Sequence, residues 1–140
     1  MVDIQKKVSV EFYNIQIIVN ELKKIKDIHK LSFLEIGGVA NLIHNFYNGI
    51  ENILKQILKD KNISVPEGSS WHRDLIYLSS SEFCLSENTK ENLTKYLSFR
   101  HFFVHNYSID LDPHEIEPLV KLTEITFTIF KNEIESFLKN

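Results

Sequence analysis

The sequence has few of the residues that mark disulfide-rich, flexible or repetitive proteins. Its 140 residues include one cysteine, three prolines and four glycines, without a repeat or a low-complexity tract. A lone cysteine cannot form an internal disulfide, and Cys84, between Phe83 and Leu85, is predicted to be a small buried hydrophobic residue with no chemistry of its own. The scarcity of proline and glycine predicts a chain with neither a linker nor a disordered region.

Long apolar runs are also missing. No segment approaches the roughly 20 apolar residues that a membrane span needs, and residues 1–7 carry polar residues where a signal peptide would need an uninterrupted apolar run. We therefore expect a cytoplasmic protein without a membrane partner. With 43% apolar and 11% aromatic residues, residues 1–140 are predicted to form a single compact domain with its own core.

Arginine is scarce, and charge is unevenly divided along the chain. Residues 1–61 hold nine lysines against seven acidic residues, whereas residues 62–140 hold seven basic residues against twelve acidic ones, and the formal net charge is −3. The two arginines are Arg73 and Arg100. A protein that bound nucleic acid mainly through its overall field would be basic. Any contact with RNA is therefore expected to be local and geometrically organised.

The first half of the chain carries apolar residues at the three- and four-residue spacing of helices with one buried face. This spacing predicts a first helix over residues 4–29 and a second helix that ends near Lys61. Gly37 and Gly38 are expected to mark a break or a close approach at the start of the second helix. Residues 62–70 are predicted to form a loop.

Helix-capping residues organise the middle of the chain. Ser70 is placed to cap a short helix that ends near Leu78, and the three serines at 79–81 are predicted to form a turn. Either Ser86 or Asn88 is placed to cap the next helix, whose C-terminal end would carry Arg100 and the residues after it.

The last helix has a clear start in the sequence. Asp112-Pro113-His114-Glu115 joins an N-cap residue, a proline at the first helical position and an acidic residue in the first turn, and Pro118 is a candidate for a kink. No segment alternates with a period of two. The sequence therefore predicts an all-α antiparallel bundle of four main helices plus a short fifth helix.

The segment from Arg100 to Tyr107, Arg-His-Phe-Phe-Val-His-Asn-Tyr, combines a permanent cation, an imidazole and a phenol that are suited to handling a phosphate. The alternative is structural: Arg100 makes a surface ion pair and His105 is favoured by the helix dipole. On a straight helix a five-residue step turns about 140°, so Arg100 and His105 would not share a face. Either the helix loosens near His105, or a second subunit supplies part of the site.

Two other groups of polar residues are candidates for function. His101 and His105 have the four-residue spacing of a zinc-binding pair, but the sequence offers no clear third and fourth ligands, so no metal site is expected. The second helix carries a polar stripe that is either a solvated face or a hydrogen-bonding cleft, since it contains no lysine. The stripe consists of His44, Tyr47, Asn48 and Glu51.

The spacing of Arg100, His105 and Tyr107 resembles the R-x-x-x-x-H-x-Y motif of HEPN-domain ribonuclease toxins. Four residues separate the arginine from the histidine, and one residue separates the histidine from the tyrosine. These toxins are paired with MNT nucleotidyltransferase antitoxins. The segments Leu42–Glu51 and Trp71–Leu75 are similar to those of a HepT-like subgroup. The three segments occur in the right order on the predicted helices, which makes the resemblance specific.

The resemblance implies a metal-independent endoribonuclease toxin that works as a homodimer and needs no cofactor. RNA carries its own nucleophile, the 2′-hydroxyl, so cleavage needs a base, an acid and a cation for the developing charge. His105 would serve as general base or acid, and Arg100 would grip the scissile phosphate. His101 and Asn106 would support catalysis or bind the substrate.

The resemblance also assigns a regulatory role to Tyr107. In toxins with this ending, the MNT antitoxin is understood to transfer AMP from ATP to the tyrosine, which would place a phosphate beside Arg100 and silence the toxin. The main alternative is a HEPN module without nuclease activity that binds a nucleotidyltransferase partner. A zinc-dependent hydrolase ranks third.

Overall fold

The structure is a computed structural model that describes residues 3–105 and 110–139, and within these residues it contains helices and no strand. Four long helices and one short helix form an antiparallel bundle, which confirms the predicted fold class. The helices are α1 (Ile4–Lys23), α2 (Phe33–Asp60), α3 (Trp71–Glu82), α4 (Glu87–His105) and α5 (Pro113–Lys139).

Helix α1 is shorter than predicted. It ends at Lys23 rather than near residue 29, and a single 3₁₀ turn follows at Ile28–Lys30. The Asp27 carboxylate accepts a hydrogen bond from the His29 backbone N–H at 3.0 Å. Such a local bond competes with the helical hydrogen bonds, so the chain turns here although apolar spacing continues.

Helix α2 begins earlier than predicted and runs through both glycines without a break. Ser32 caps it through a capping box with Glu35, in which each side chain accepts a bond from the other residue's backbone N–H. No atom lies within 4 Å of a methyl group built on Gly37 or Gly38. The predicted break or close approach at these glycines is therefore wrong, because the capping box upstream fixes where the helix starts.

Helix α3 includes the serines that were predicted to form a turn. It continues to Glu82, and the Ser80 hydroxyl donates a hydrogen bond to the Ile76 carbonyl one turn earlier. The Ser70 side chain makes no capping bond and instead donates to the Asp74 carboxylate at 3.0 Å. The predicted turn at 79–81 is wrong because the helix continues through these serines, and the Ser80 hydroxyl is satisfied by a carbonyl of the same helix.

Two predicted helix starts in the second half are confirmed. The Ser86 hydroxyl accepts a bond from the Thr89 backbone N–H at 3.2 Å, so Ser86, and not Asn88, caps α4. Pro113 is the first residue of α5, and the Asp112 carboxylate accepts a bond from the His114 backbone N–H at 3.0 Å. Helix α5 continues past Pro118.

Helix α2 lies at the centre of the bundle, since all four other helices pack against it. Aromatic rings join the helices in pairs: Phe46 of α2 lies 5.0 Å from Tyr96 of α4, and Phe12 of α1 lies 5.9 Å from Phe127 of α5. The Tyr96 hydroxyl also donates to the Leu119 carbonyl of α5 at 2.6 Å. These contacts hold α4 between α2 and α5.

Two further expectations concern Cys84 and membranes. Cys84 is exposed, which contradicts its predicted burial. It has a positive φ of 57° just after α3, while its neighbours Phe83 and Leu85 turn into the core. Among the described helices, none combines the length and the apolar character that would let it cross a lipid bilayer.

Gly49 allows α1 and α2 to come close together. A methyl group built on Gly49 would lie 2.7 Å from Cγ1 of Ile15, a residue that is 1% exposed. Real side-chain carbons do not approach so closely, so the glycine is needed for this packing.

We therefore predict that Gly49→Ala lowers the free energy of unfolding by about 1–2 kcal/mol, because overpacking outweighs the better helix propensity of alanine. Gly38→Ala is the matched control in the same helix. It has open space and should stabilise the protein by about 0.5–1 kcal/mol. Urea denaturation measures both changes, and equal stabilisation by both substitutions would contradict the role of Gly49.

Candidate functional site

Arg100 lies near the C-terminal end of α4 and is half-buried against α2. Its Nε atom is buried and has no hydrogen-bond partner among the described residues. A buried guanidinium N–H that lacks an acceptor costs about 1–3 kcal/mol. The inner edge of Arg100 is therefore packed, while the side chain as a whole remains partly accessible.

The polar stripe of α2 faces the interior. Tyr47 is 1% exposed and Glu51 is 3% exposed, whereas His44 and Asn48 are half-buried beside them. A solvated face does not describe such residues. These four residues, the α2 wall, therefore form a polar surface that is buried at Tyr47 and Glu51 and half-buried at His44 and Asn48.

Arg100 and this wall belong to one electrostatic group. The positive charge of Arg100 and the negative charge of Glu51 act in opposite directions on the pKa values of both His44 and Tyr47. Both charges must therefore lie close to the same two side chains. The structure thus brings together Arg100 and the α2 residues that the sequence suggested separately.

The Glu51 carboxylate has a direct partner that sequence reasoning missed. Its Oε2 atom lies 2.6 Å from Nδ1 of His72, the second residue of α3. Because a carboxylate only accepts, Nδ1 of His72 carries the proton of this hydrogen bond. His72 also stacks on Trp71, with ring centroids 3.5 Å apart. The only signal in the sequence was the similarity of segment Trp71–Leu75 to the HepT-like subgroup.

His44 is held as a neutral imidazole. Burial is the main cause that lowers its pKa, and Arg100 lowers it further against the smaller opposing effect of Glu51. Its Nε2 lies 3.1 Å from the Asn48 amide nitrogen, which donates, so the proton of the neutral ring is on Nδ1. Nδ1 is buried without a partner, and the ring packs 5.1 Å from Phe103.

Tyr47 is a protonated phenol in this environment. Burial raises its pKa far above the ordinary value, and the nearby Glu51 carboxylate raises it further. The hydroxyl makes no hydrogen bond of good geometry with a described residue, although Glu51 is one helical turn away. Tyr47 therefore keeps its proton and is not a candidate for proton transfer.

His101 and His105 lie on a different side of α4. Both are exposed, and their ring centroids are 4.6 Å apart, as expected for a four-residue spacing. The Arg100 charge instead acts on His44 of α2. The side chains of Arg100 and His105 therefore point in different directions, as expected for a straight helix. Helix α4 stays helical as far as His105. Within residues 3–105 and 110–139, no cluster of three or more metal-ligating side chains exists.

Asn106 and Tyr107 lie outside the described residues. Their predicted roles in substrate binding and in modification therefore remain predictions from the sequence. The described part of the site consists of Arg100 with the α2 wall, and of the exposed histidine pair that ends α4.

The lowered pKa of His44 predicts how stability depends on pH. The folded state binds this proton less readily than the unfolded state, in which the pKa is about 6.5. Neutral His44 therefore favours the folded state above about pH 6.5, and this contribution to the free energy of unfolding is lost as the pH falls below that value. We expect His44→Gln to make stability depend less on pH between about pH 7.5 and pH 5.

Urea denaturation across this pH range measures the effect. The control is His101→Gln, which removes an exposed imidazole from α4. If the His44→Gln and parent proteins lose stability in parallel as the pH falls, the lowered pKa of His44 is wrong.

Comparisons with known proteins agree with this architecture. No curated protein sequence matches the chain. A solved structure, described as the cytosolic protein of unknown function YutE from Bacillus subtilis, superposes with a TM-score of 0.76 at 18% identity, covering 96% of this chain and 90% of that one. This likeness shows the fold alone. The model of the family described as HepT-like protein matches residues 38–140, which include most of α2, all of α3 to α5 and the whole candidate site. The chain therefore belongs to the HepT-like family of HEPN domains.

Proposed function

We propose that the protein is a metal-independent endoribonuclease toxin. The observation that carries the proposal is Arg100: an arginine whose inner edge is buried against the α2 wall, on the same helix as an exposed histidine pair. Membership of the HepT-like family supports the same function. The combination supplies a fixed cation for phosphate and ionisable groups for proton transfer.

The reaction would use the nucleophile that RNA already contains. A base removes the proton of the 2′-hydroxyl, and the 2′-oxygen attacks the adjacent phosphorus. The bond from phosphorus to the 5′-oxygen then breaks, which leaves a 2′,3′-cyclic phosphate and a 5′-hydroxyl end. An acid donates the proton that the leaving 5′-oxygen needs. Arg100 stabilises the additional negative charge on the phosphate oxygens in the transition state.

His105 is assigned the acid or base role, because an imidazole can both accept and donate a proton near neutral pH. His101 is one turn away and is assigned a supporting role, together with Asn106. Since Arg100 and His105 face different directions on α4, we propose that the active unit is a homodimer. In that unit, Arg100 of one chain and His105 of the other face the same RNA phosphate.

Arg100→Ala and His105→Ala are each expected to lower RNA cleavage by about 100-fold or more, since each removes one contribution to transition-state stabilisation. The purified protein is tested on a labelled RNA with and without excess chelator, and cleavage should continue with chelator. A substrate with 2′-deoxyribose at the cleaved position should remain intact. Unchanged cleavage by both variants would contradict the assignment, and loss of cleavage in chelator would contradict a metal-free reaction.

Mixing the two variants tests the proposed dimer. If one chain supplies Arg100 and the other His105, a mixed dimer keeps one intact site, so an equal mixture should recover about a quarter of the parent rate. If each chain forms its own site, the mixture stays inactive. Unfolding and refolding the two variants together allows the chains to exchange.

We further propose that an MNT-type nucleotidyltransferase acts as the antitoxin by transferring AMP to Tyr107. The tyrosine oxygen would attack the α-phosphorus of ATP and release pyrophosphate. Each AMP group adds a negative phosphate two residues from His105, where it would compete with RNA for the cation and repel the RNA backbone. The modification would therefore silence the nuclease without disturbing the bundle.

Incubation with such a nucleotidyltransferase, ATP and Mg²⁺ is expected to add the mass of one or more AMP groups and to stop RNA cleavage. Tyr107→Phe should remain unmodified and active under these conditions, while Tyr77→Phe, which changes an exposed tyrosine of α3, is the matched control and should still be modified. Intact-mass spectrometry measures the addition. Modification of Tyr107→Phe to the same extent would contradict the assignment.

A further inference from the structure

We propose that the outer face of α1 is an interface at which two copies of this chain associate, with their α1 helices antiparallel. The face is formed by Val10, Tyr13 and Ile17, and these three residues are called the outer stripe. None of them belongs to the candidate site. The inference therefore goes beyond the proposed function and does not depend on RNA cleavage.

The outer stripe gives α1 a second apolar side. The buried residues of α1 lie on the side that packs against α2 and α5. Val10, Tyr13 and Ile17 follow the same three- and four-residue spacing, but they are 60%, 68% and 47% exposed. At about 100° per residue, they lie opposite the core side of the helix. A surface helix needs one apolar side to join its own core, so packing within one chain does not explain the stripe.

Large exposed apolar side chains are concentrated on this helix. Within the described residues, each of the helices α2 to α5 carries one or two of them, whereas α1 carries three along one line. Single exposed apolar residues are ordinary on protein surfaces, but a contiguous patch marks a place where another surface packs. The outer stripe therefore indicates a partner with an apolar helix face of its own.

The charges at the two ends of the stripe indicate that this partner is a second copy. Lys6 is exposed one turn before Val10, and Glu21 is exposed one turn after Ile17. A twofold axis that crosses α1 next to Tyr13 brings Val10 of each copy opposite Ile17 of the other, and the two Tyr13 rings meet at the axis. The same operation brings Lys6 of each copy opposite Glu21 of the other. Apolar contacts and opposite charges thus agree in one register.

A second pair of opposite charges fits the same register. Asp3, the N-cap of α1, comes opposite Lys24, its C-cap, and both are exposed. Within one chain, the Glu21 carboxylate accepts a bond from Lys24 at 2.8 Å, which holds the acid near the end of the stripe. A parallel arrangement would instead bring Lys6 near Lys6 and Glu21 near Glu21, which like-charge repulsion disfavours.

This interface is separate from the dimer proposed for catalysis. Helix α1 packs chiefly against α2 and α5, whereas Arg100 and His105 belong to α4. One chain with two different twofold interfaces forms an assembly larger than a dimer. Association through α1 therefore joins catalytic units without changing any of them.

Tyr13→Lys places a charge at the centre of the interface and is expected to weaken association by at least about tenfold. At a protein concentration that saturates association of the parent, sedimentation equilibrium should give the parent twice the mass of the variant. Leu34→Lys changes an exposed apolar residue outside the stripe, so it is the matched control and should keep the parent mass. Both positions are exposed, so both variants should fold, which circular dichroism verifies.

Charge reversal tests the antiparallel register. Lys6→Glu should weaken association by about tenfold, because it places two acids opposite each other at both ends of the interface. Adding Glu21→Lys to the same chain restores opposite charges at both ends and should recover most of the parent affinity. Lys7→Glu makes the same change in net charge at about 100° from Lys6 around the helix, and it should have little effect.

Three results would overturn the proposal. If Tyr13→Lys keeps the parent mass, the stripe is not a surface for self-association. If the chain with both Lys6→Glu and Glu21→Lys associates no better than Lys6→Glu alone, the copies are not antiparallel. If Tyr13→Lys loses binding to a nucleotidyltransferase while its own mass equals that of the parent, the occupant of the stripe is that enzyme and not a second copy.

RNA cleavage separates this proposal from the proposed function. Tyr13→Lys should keep the parent rate of cleavage per chain while its mass is halved. If the parent cleaves RNA and Tyr13→Lys does not change the mass, the nuclease stands and the interface fails. If the mass is halved and neither protein cleaves RNA, the interface stands and the proposed function fails. Loss of cleavage together with the halved mass would overturn the separation of this interface from the site.

Discussion

The central position of α2 is the constraint on which the rest of the structure depends. All four other helices pack against it, and thirteen of its 28 residues are buried. Gly49 meets this demand on the α1 side by omitting a side chain where Ile15 approaches. Tyr47 and Glu51 are buried in the same helix, where polar groups are costly unless they are paired. The protein therefore retains a polar wall at its core that stability alone would not favour.

The cost of this wall explains the arrangement around it. Glu51 pairs with His72 of α3, and the positive charge of Arg100 from α4 acts on the neighbouring Tyr47. Desolvation strengthens each of these electrostatic interactions, because the surrounding medium screens charge less than water does. The exposed pair of His101 and His105 is outside this group.

Local sequence patterns predicted the helices well where capping chemistry was explicit. Ser86, Asp112 and Pro113 mark helix starts because each satisfies, or does not need, a backbone N–H of the first turn. The prediction for α1 extended too far because apolar spacing continues past Lys23, while the Asp27 side chain bonds the backbone and ends helical geometry. The capping box of Ser32 and Glu35 is present in the sequence, but the prediction placed the helix start by Gly37 and Gly38 instead.

The sequence by itself determined the all-helical class, the two-faced spacing of Arg100 and His105, and the family to which the chain belongs. These follow from residues within a few positions of one another, or from an ordered motif that needs no coordinates. Tertiary structure alone decided that Glu51 pairs with His72 and that Tyr47 is buried. Such contacts join helices separated by a long loop, and many packings of the same helices satisfy the same local rules. Only the approach of α2, α3 and α4 selects which polar residues meet, since a buried charge must find its partner among the neighbours that packing supplies.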